Sequence, residues 1–133
     1  MAKATIRALK SIFLHSRKMN EMVRFYRAIG LPPVKQFAHD DLLHVQLRAP
    51  AFDLWILEGD AGKAPKPHGA GSTWLCLQVS AIDAAVRAAK QAGGRILFQR
   101  ESGGVKRAVL LDPDGRAVDL TQRVGRTTRK ARA

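Results

Sequence analysis

A single cysteine, Cys76, stands among the 133 residues. No intrachain disulfide can form, and the chain reads as one that works in a reducing cytoplasm. Long apolar runs are missing, and no stretch approaches the roughly 20 residues that span a bilayer. The opening MAKATIRALK also lacks the continuous apolar segment of a secretory leader. Acidic residues are scarce, 11 against 23 Lys and Arg, for a net charge of +12. Aromatics are few, with 5 Phe, 2 Trp and 1 Tyr, and no interleaving of aromatic and basic residues suggests base stacking. Gly59-Asp60-Ala61-Gly62-Lys63 lacks the spacing of a phosphate-binding loop and any helix after it.

What is present begins with one domain's worth of chain, enough to bury a real core. Arg123, Arg126, Arg129, Lys130 and Arg132 fall in the last eleven residues with no acid among them, leaving +7 for the rest. Residues 123–133 therefore read as a basic, disordered tail. Such a tail can touch nucleic acid by counterion release, but a solvated tail is the favoured reading.

The first half repeats in the second at an offset of 63 residues. Met19, Met22, Val23 and Tyr26 share the i, i+3, i+4, i+7 spacing of Ile82, Ala85, Val86 and Ala89. The strands before them match as Ile12 with Leu75 and Leu14 with Leu77, and the closing glycines as Gly30 with Gly93. A fixed period marks duplicated units that bury a shared core.

Each unit reads as strand, helix and three strands. The first covers about 6–58: strand 6–16, helix 19–29 capped by Ser16 or Asn20, and strands 34–38, 42–48 and 52–58. Residues 59–72, rich in Gly, Pro and Lys, form a linker. The second covers 73–122: strand 73–79, a helix opened by Ser80 and Asp83 in a capping-box-like pattern, and strands 95–99, 105–111 and 116–121. The whole of 1–122 is one α+β domain of two tandem βαβββ modules. Asp112-Pro113-Asp114-Gly115 reads as a turn. If the helices cover Ile12, Leu14, Leu75 and Leu77, the opposite strand faces line a half-open, barrel-like cleft between modules, where small-molecule sites tend to lie.

Three segments carry a family resemblance: NEMVRFYRAIG at 20–30, LQVSAIDAAVRAAKQAGG at 77–94 and LLDPDGRAVDL at 110–120. The pattern resembles the vicinal oxygen chelate superfamily of glyoxalases, extradiol dioxygenases, fosfomycin-resistance enzymes and bleomycin-resistance binding proteins. The resemblance implies their fold and a homodimer. In metal-using members each module supplies one ligand from its first strand and one carboxylate from its last. The resemblance puts those positions at Ser11 and Trp74, and at Asp53 and Asp119. A hydroxyl and an indole replace the usual His or Glu, and an indole offers only an N–H donor. No metal or other cofactor is therefore expected.

The candidate site is an aromatic-lined cleft. Phe13, Trp55 and Trp74 form its walls, and His15, His44, Asp53, Gln78 and Asp119 orient the ligand. The expected function is metal-independent binding of a small molecule, with an anionic or neutral ligand suiting the basic chain. The alternative is a lyase, isomerase or dioxygenase with a divalent metal displaced to His15 or His44 and Asp53. A third reading is nucleic-acid or partner binding through the tail. Cys76 reads as a buried small hydrophobe.

Overall fold

Ten elements follow one another in a computed structural model that describes residues 4–59 and 74–124. The first module holds β1 (Ser11–Ser16), α1 (Met19–Ala28), β2 (Pro33–His39), β3 (Leu42–Arg48) and β4 (Asp53–Glu58). The second holds β5 (Trp74–Gln78), α2 (Ile82–Gln91), β6 (Arg95–Ser102), β7 (Val105–Leu111) and β8 (Ala117–Arg123). The strands form two four-stranded sheets of the same topology, β1-β4-β3-β2 and β5-β8-β7-β6. In each, the first strand runs parallel to the last and the others are antiparallel. No helix among the described residues is long and apolar enough to cross a membrane.

The elements form where periodicity places them. In α1, Met19, Met22, Phe25 and Tyr26 are buried; in α2, Ile82, Ala85, Val86 and Ala89. These stripes join Leu54 and Ile56 of β4, Leu47 of β3, Leu110 of β7 and Val118 and Leu120 of β8 in one cluster. Each large apolar side chain buried there contributes roughly 1.5–3 kcal/mol against exposure. The inner hairpins of both modules close through two residues in the left-handed region. They are Asp40 and Asp41 (φ 53° and 63°) in the first and Gly103 and Gly104 (φ 60° and 79°) in the second. Such turns match the twist of the flanking strands, and Asp is among the few side chains that tolerate them.

Several boundaries differ from the sequence expectation. The first strand begins at Ser11, not at residue 6. The α1 N-cap is Lys18, whose N–H donates to Ser16 Oγ at 2.9 Å, while Asn20 lies inside the helix. The Ser80–Asp83 capping box does not form. Ala81 is the cap residue, the Ile82 N–H donates to Gln122 Oε1 at 2.7 Å, and Asp83 accepts from Lys106 Nζ at 2.8 Å. Tertiary partners from β8 and β7 outcompete the local pattern. Arg123, placed in the tail by composition, is the last residue of β8, and the Val124 N–H donates to Gly104 O. Linker residues 60–73 and tail residues 125–133 lie outside the described part.

The modules are joined by more than helix packing. The Tyr26 hydroxyl on α1 donates to Asp112 Oδ2 in the β7–β8 turn at 2.6 Å. Asp112 Oδ1 accepts the Asp114 and Arg116 N–H groups, both at 2.9 Å. Arg116 Nη1 pairs with Asp114 at 2.9 Å, and its Nη2 donates to His15 O at 2.8 Å. Lys18 Nζ donates to Pro113 O at 3.1 Å. Asp112 and Asp114 thus do more than form a turn: they fasten the second module onto the first.

Burial, reinforced by the Asp112 charge, holds the Tyr26 hydroxyl well above its ordinary pKa of 10.0. The folded pKa exceeds the unfolded one, so Tyr26's contribution is intact below about pH 10 and is lost as pH rises beyond it. Stability should fall steeply in strong alkali, and Tyr26→Phe should flatten that fall. Tyr26 is the only tyrosine, so tyrosinate absorbance should appear only together with unfolding. A reversible titration near the ordinary value in folded protein would refute the interlock.

Candidate functional site

Each helix covers one face of its own sheet, and the opposite faces carry the candidate residues. On the first sheet, alternation turns Ser11, Phe13 and His15 of β1 to the same side as Asp53 and Trp55 of β4. The register aligns Ser11 with Asp53, Phe13 with Trp55, Gln46 with Trp55, and Phe37 with His44. Phe13 stacks on Trp55 at 6.2 Å between centroids, with planes 9° apart. Phe37 meets Trp55 edge-on at 5.9 Å and stacks on His44 at 5.1 Å. Phe13 and Phe37 remain 58% and 41% exposed. A continuous aromatic band therefore crosses all four strands.

The band includes Phe37, which the sequence reading did not single out. Phe37 alternates with Lys35 and His39 along β2, a strand exposed throughout, and only the register places it beside Trp55. The polar edge of the face is Asp53, which accepts from Gln46 Nε2 at 2.8 Å and Arg48 Nε at 3.4 Å. Lys35 lies 6.0 Å from the Phe37 ring centroid.

The second sheet carries different chemistry. Cys76 of β5 aligns with Asp119 of β8, and Gln78 with Thr121. Cys76 is exposed, not a buried hydrophobe. Arg107 of β7 grips Asp119, its Nε 3.1 and 3.2 Å from the two carboxylate oxygens and its Nη2 2.7 Å from Oδ2. Arg107 and Arg100 lie over the Phe98 ring at 5.4 and 5.8 Å. Trp74 lies in β5, but its side chain falls outside the described part.

The two aspartates differ in register. Ser11 and Trp74 are equivalent by the offset of 63 residues; Ser11 aligns with Asp53, whereas Trp74 aligns with Ala117. Asp119 therefore matches Trp55 of the first module, and Asp53 matches Ala117. The positions that the resemblance assigns to a metal hold a hydroxyl, an indole and two carboxylates, Asp53 bonded by Gln46 and Arg48 and Asp119 by Arg107. Two carboxylates already engaged by other side chains, with no imidazole beside them, make a poor site for a divalent transition metal.

The residues of the displaced alternative are spread along the face. His15 and His44 both align with Leu57, four residues along β4 from Asp53, about 13 Å at 3.3 Å per residue. Among the described residues no three His, Cys, Asp or Glu side chains gather around a common point.

The family model described as "Glyoxalase/Bleomycin resistance protein/Dioxygenase superfamily" matches residues 8–120. The chain belongs to this superfamily. Solved structures agree on the fold. A glyoxalase family protein from Bacillus cereus superposes with TM-score 0.79 at 13% identity, covering 94% of this chain and 99% of its own. A fosfomycin resistance protein variant from Listeria monocytogenes, complexed with Mn(II) and dihydroxypropylphosphonic acid, gives 0.71 at 16%, covering 87% and 92%. A glyoxalase/bleomycin resistance protein from Albidiferax ferrireducens gives 0.62 at 22%, covering 86% and 98%. No curated protein matches the sequence. The superfamily spans enzymes and binding proteins, so the choice between them rests on the site.

Proposed function

We propose that this superfamily member is a metal-independent binding protein that takes a planar, neutral or anionic small molecule on the aromatic face of its first sheet. The observation that carries the reading is the Phe13–Trp55–Phe37–His44 band, with Phe13 and Phe37 exposed and Trp55 and His44 half-buried. Exposed, preordered rings offer stacking surface at low entropic cost, and Asp53, Gln46 and Lys35 supply orientation at its edge. The donor chemistry at Ser11 and Trp74, and the partners already held by Asp53 and Asp119, support the same reading.

The test is a thermal-shift screen of aromatic and antibiotic compounds, followed by quenching of tryptophan fluorescence. Phe13→Ala and Phe37→Ala, both at exposed positions, should leave the fold intact. Each should weaken a stabilising ligand by roughly 3- to 10-fold, as loss of one aromatic pair implies. A screen without any stabiliser, or ligands that bind both variants unchanged, would overturn the reading.

We also infer a homodimer that closes over this face. Phe13, Phe37 and Leu42 are large apolar side chains left exposed on one side of the sheet, the kind of surface that meets a partner. Sedimentation should give twice the chain mass.

A further inference from the structure

The misfit at the family's metal position has a positive counterpart on the second sheet. Asp119, the carboxylate that the resemblance assigns to a metal, is held by Arg107 through three short contacts. A guanidinium has five N–H donors. Asp119 engages Nε–H and one N–H of Nη2, so both N–H groups of Nη1 and one of Nη2 stay available. The Arg107 side chain is 34% exposed.

The register extends this into a row. Gln78 aligns with Thr121, Thr121 with Arg107, and Arg107 with Arg100. The four side chains thus share one face and cross all four strands, and each can donate a hydrogen bond. Arg123, two residues beyond Thr121, falls on the same face by alternation. Three arginines there face one carboxylate, Asp119. Like charges opposite each other on neighbouring strands repel, so the Arg100–Arg107 pair leaves positive charge uncompensated. The open cavity of about 260 Å³ that both arginines border lies on the other side of the hairpin, against Ile82, Asp83 and Gln99, and is not part of this face. By alternation Glu101 and Lys106 belong to the opposite side of the hairpin, and Asp83 is taken up by Lys106 at 2.8 Å.

We propose that this face is an oxyanion-binding site for a small organic acid. Arg107, oriented by Asp119, supplies the fixed positive charge that a metal provides in metal-using relatives, with Arg100, Thr121 and Gln78 completing the donor row. Arg suits the role because its planar fork binds one carboxylate and presents its remaining edge to another oxyanion. Asp119 is then a positioning residue, not a vacant ligand.

The experiment compares naphthoate with its uncharged isostere naphthamide by calorimetry on the full chain, with and without a chelator. Naphthoate should bind at least about 10-fold more tightly than naphthamide, as a charge-assisted hydrogen bond implies. Chelation should not change that ratio, and added salt should shrink it. Arg100→Gln, at an exposed position, should cost naphthoate roughly 10-fold and naphthamide nothing. Arg107→Lys should give an intermediate loss. Because Arg107→Gln leaves Asp119 unpaired, the double variant Arg107→Gln/Asp119→Asn provides the folded protein that lacks the fork, and it should lose the preference for acid altogether.

Equal binding of acid and amide, an unchanged preference in Arg100→Gln or the double variant, or binding abolished by chelation would each overturn the proposal. Tryptophan quenching by naphthamide without any preference for naphthoate would overturn this site alone and leave the first-sheet reading standing.

Discussion

An Asp112→Ala variant should lose about 3–5 kcal/mol of stability, the range for breaking a buried, hydrogen-bonded charge. Three losses coincide. The Tyr26 hydroxyl, fully buried, is left without its acceptor. The Asp114 and Arg116 N–H groups lose Oδ1, and with it the order of the turn that grips the first module. Arg116 keeps Asp114 and His15 O, which holds the loss within that range. Against a typical total of roughly 5–15 kcal/mol the effect is large, and the melting temperature should drop by roughly 10–20 °C. Asp112→Asn keeps an oxygen for the turn amides and should cost less. Burial holds Asp112 itself above the ordinary carboxylate pKa, opposed by Tyr26, the turn amides and Arg116. Urea denaturation of both variants checks the order. An alanine variant within about 1 kcal/mol of the parent would mean that the modules do not depend on this clasp.

Gly94→Ala should cost about 3 kcal/mol, the upper end for overpacking a filled core. A Cβ added at Gly94 would lie 2.9 Å from Phe25 Cδ1, closer still to Cε1, and 3.0 Å from Ala89 O. The carbonyl belongs to the α2 backbone, and Phe25 is fully buried, so neither can yield cheaply. The effect should shrink in a Phe25→Leu background, since the shorter side chain frees its share of the space while the Ala89 O contact persists. A double-mutant cycle measures that coupling directly. Equal cost in both backgrounds would place the strain elsewhere.

Gly94 shows where reading the chain alone stops. Beside Gly93 it looks like punctuation after a helix. In the fold it marks the place where the end of α2 meets α1 from the other module. The same limit explains the caps. Ser80 and Asp83 had a plausible local pattern, but Gln122, 40 residues away, delivers the oxygen to the Ile82 N–H. The different registers of Asp53 and Asp119 were hidden for a related reason. Counting along the chain treats the two last strands as equivalent, while the parallel register shifts the aspartates by two residues. Phe37 and Arg107 escaped notice because neither carries a motif; each gains meaning only from what its neighbouring strand presents.

The sequence by itself determined the duplication, the two helices, most of the strands, the turn positions and the membership of the superfamily. These follow from local periodicity, left-handed turn residues and motif spacing, all encoded within a few residues of one another. The tertiary structure alone decided that Tyr26 and Asp112 clasp the modules, that four rings from four strands form one band, and that Arg107 holds Asp119. Those are pairings between strands. Sequence distance carries no record of them, because register is set by which buried faces must meet across the sheet.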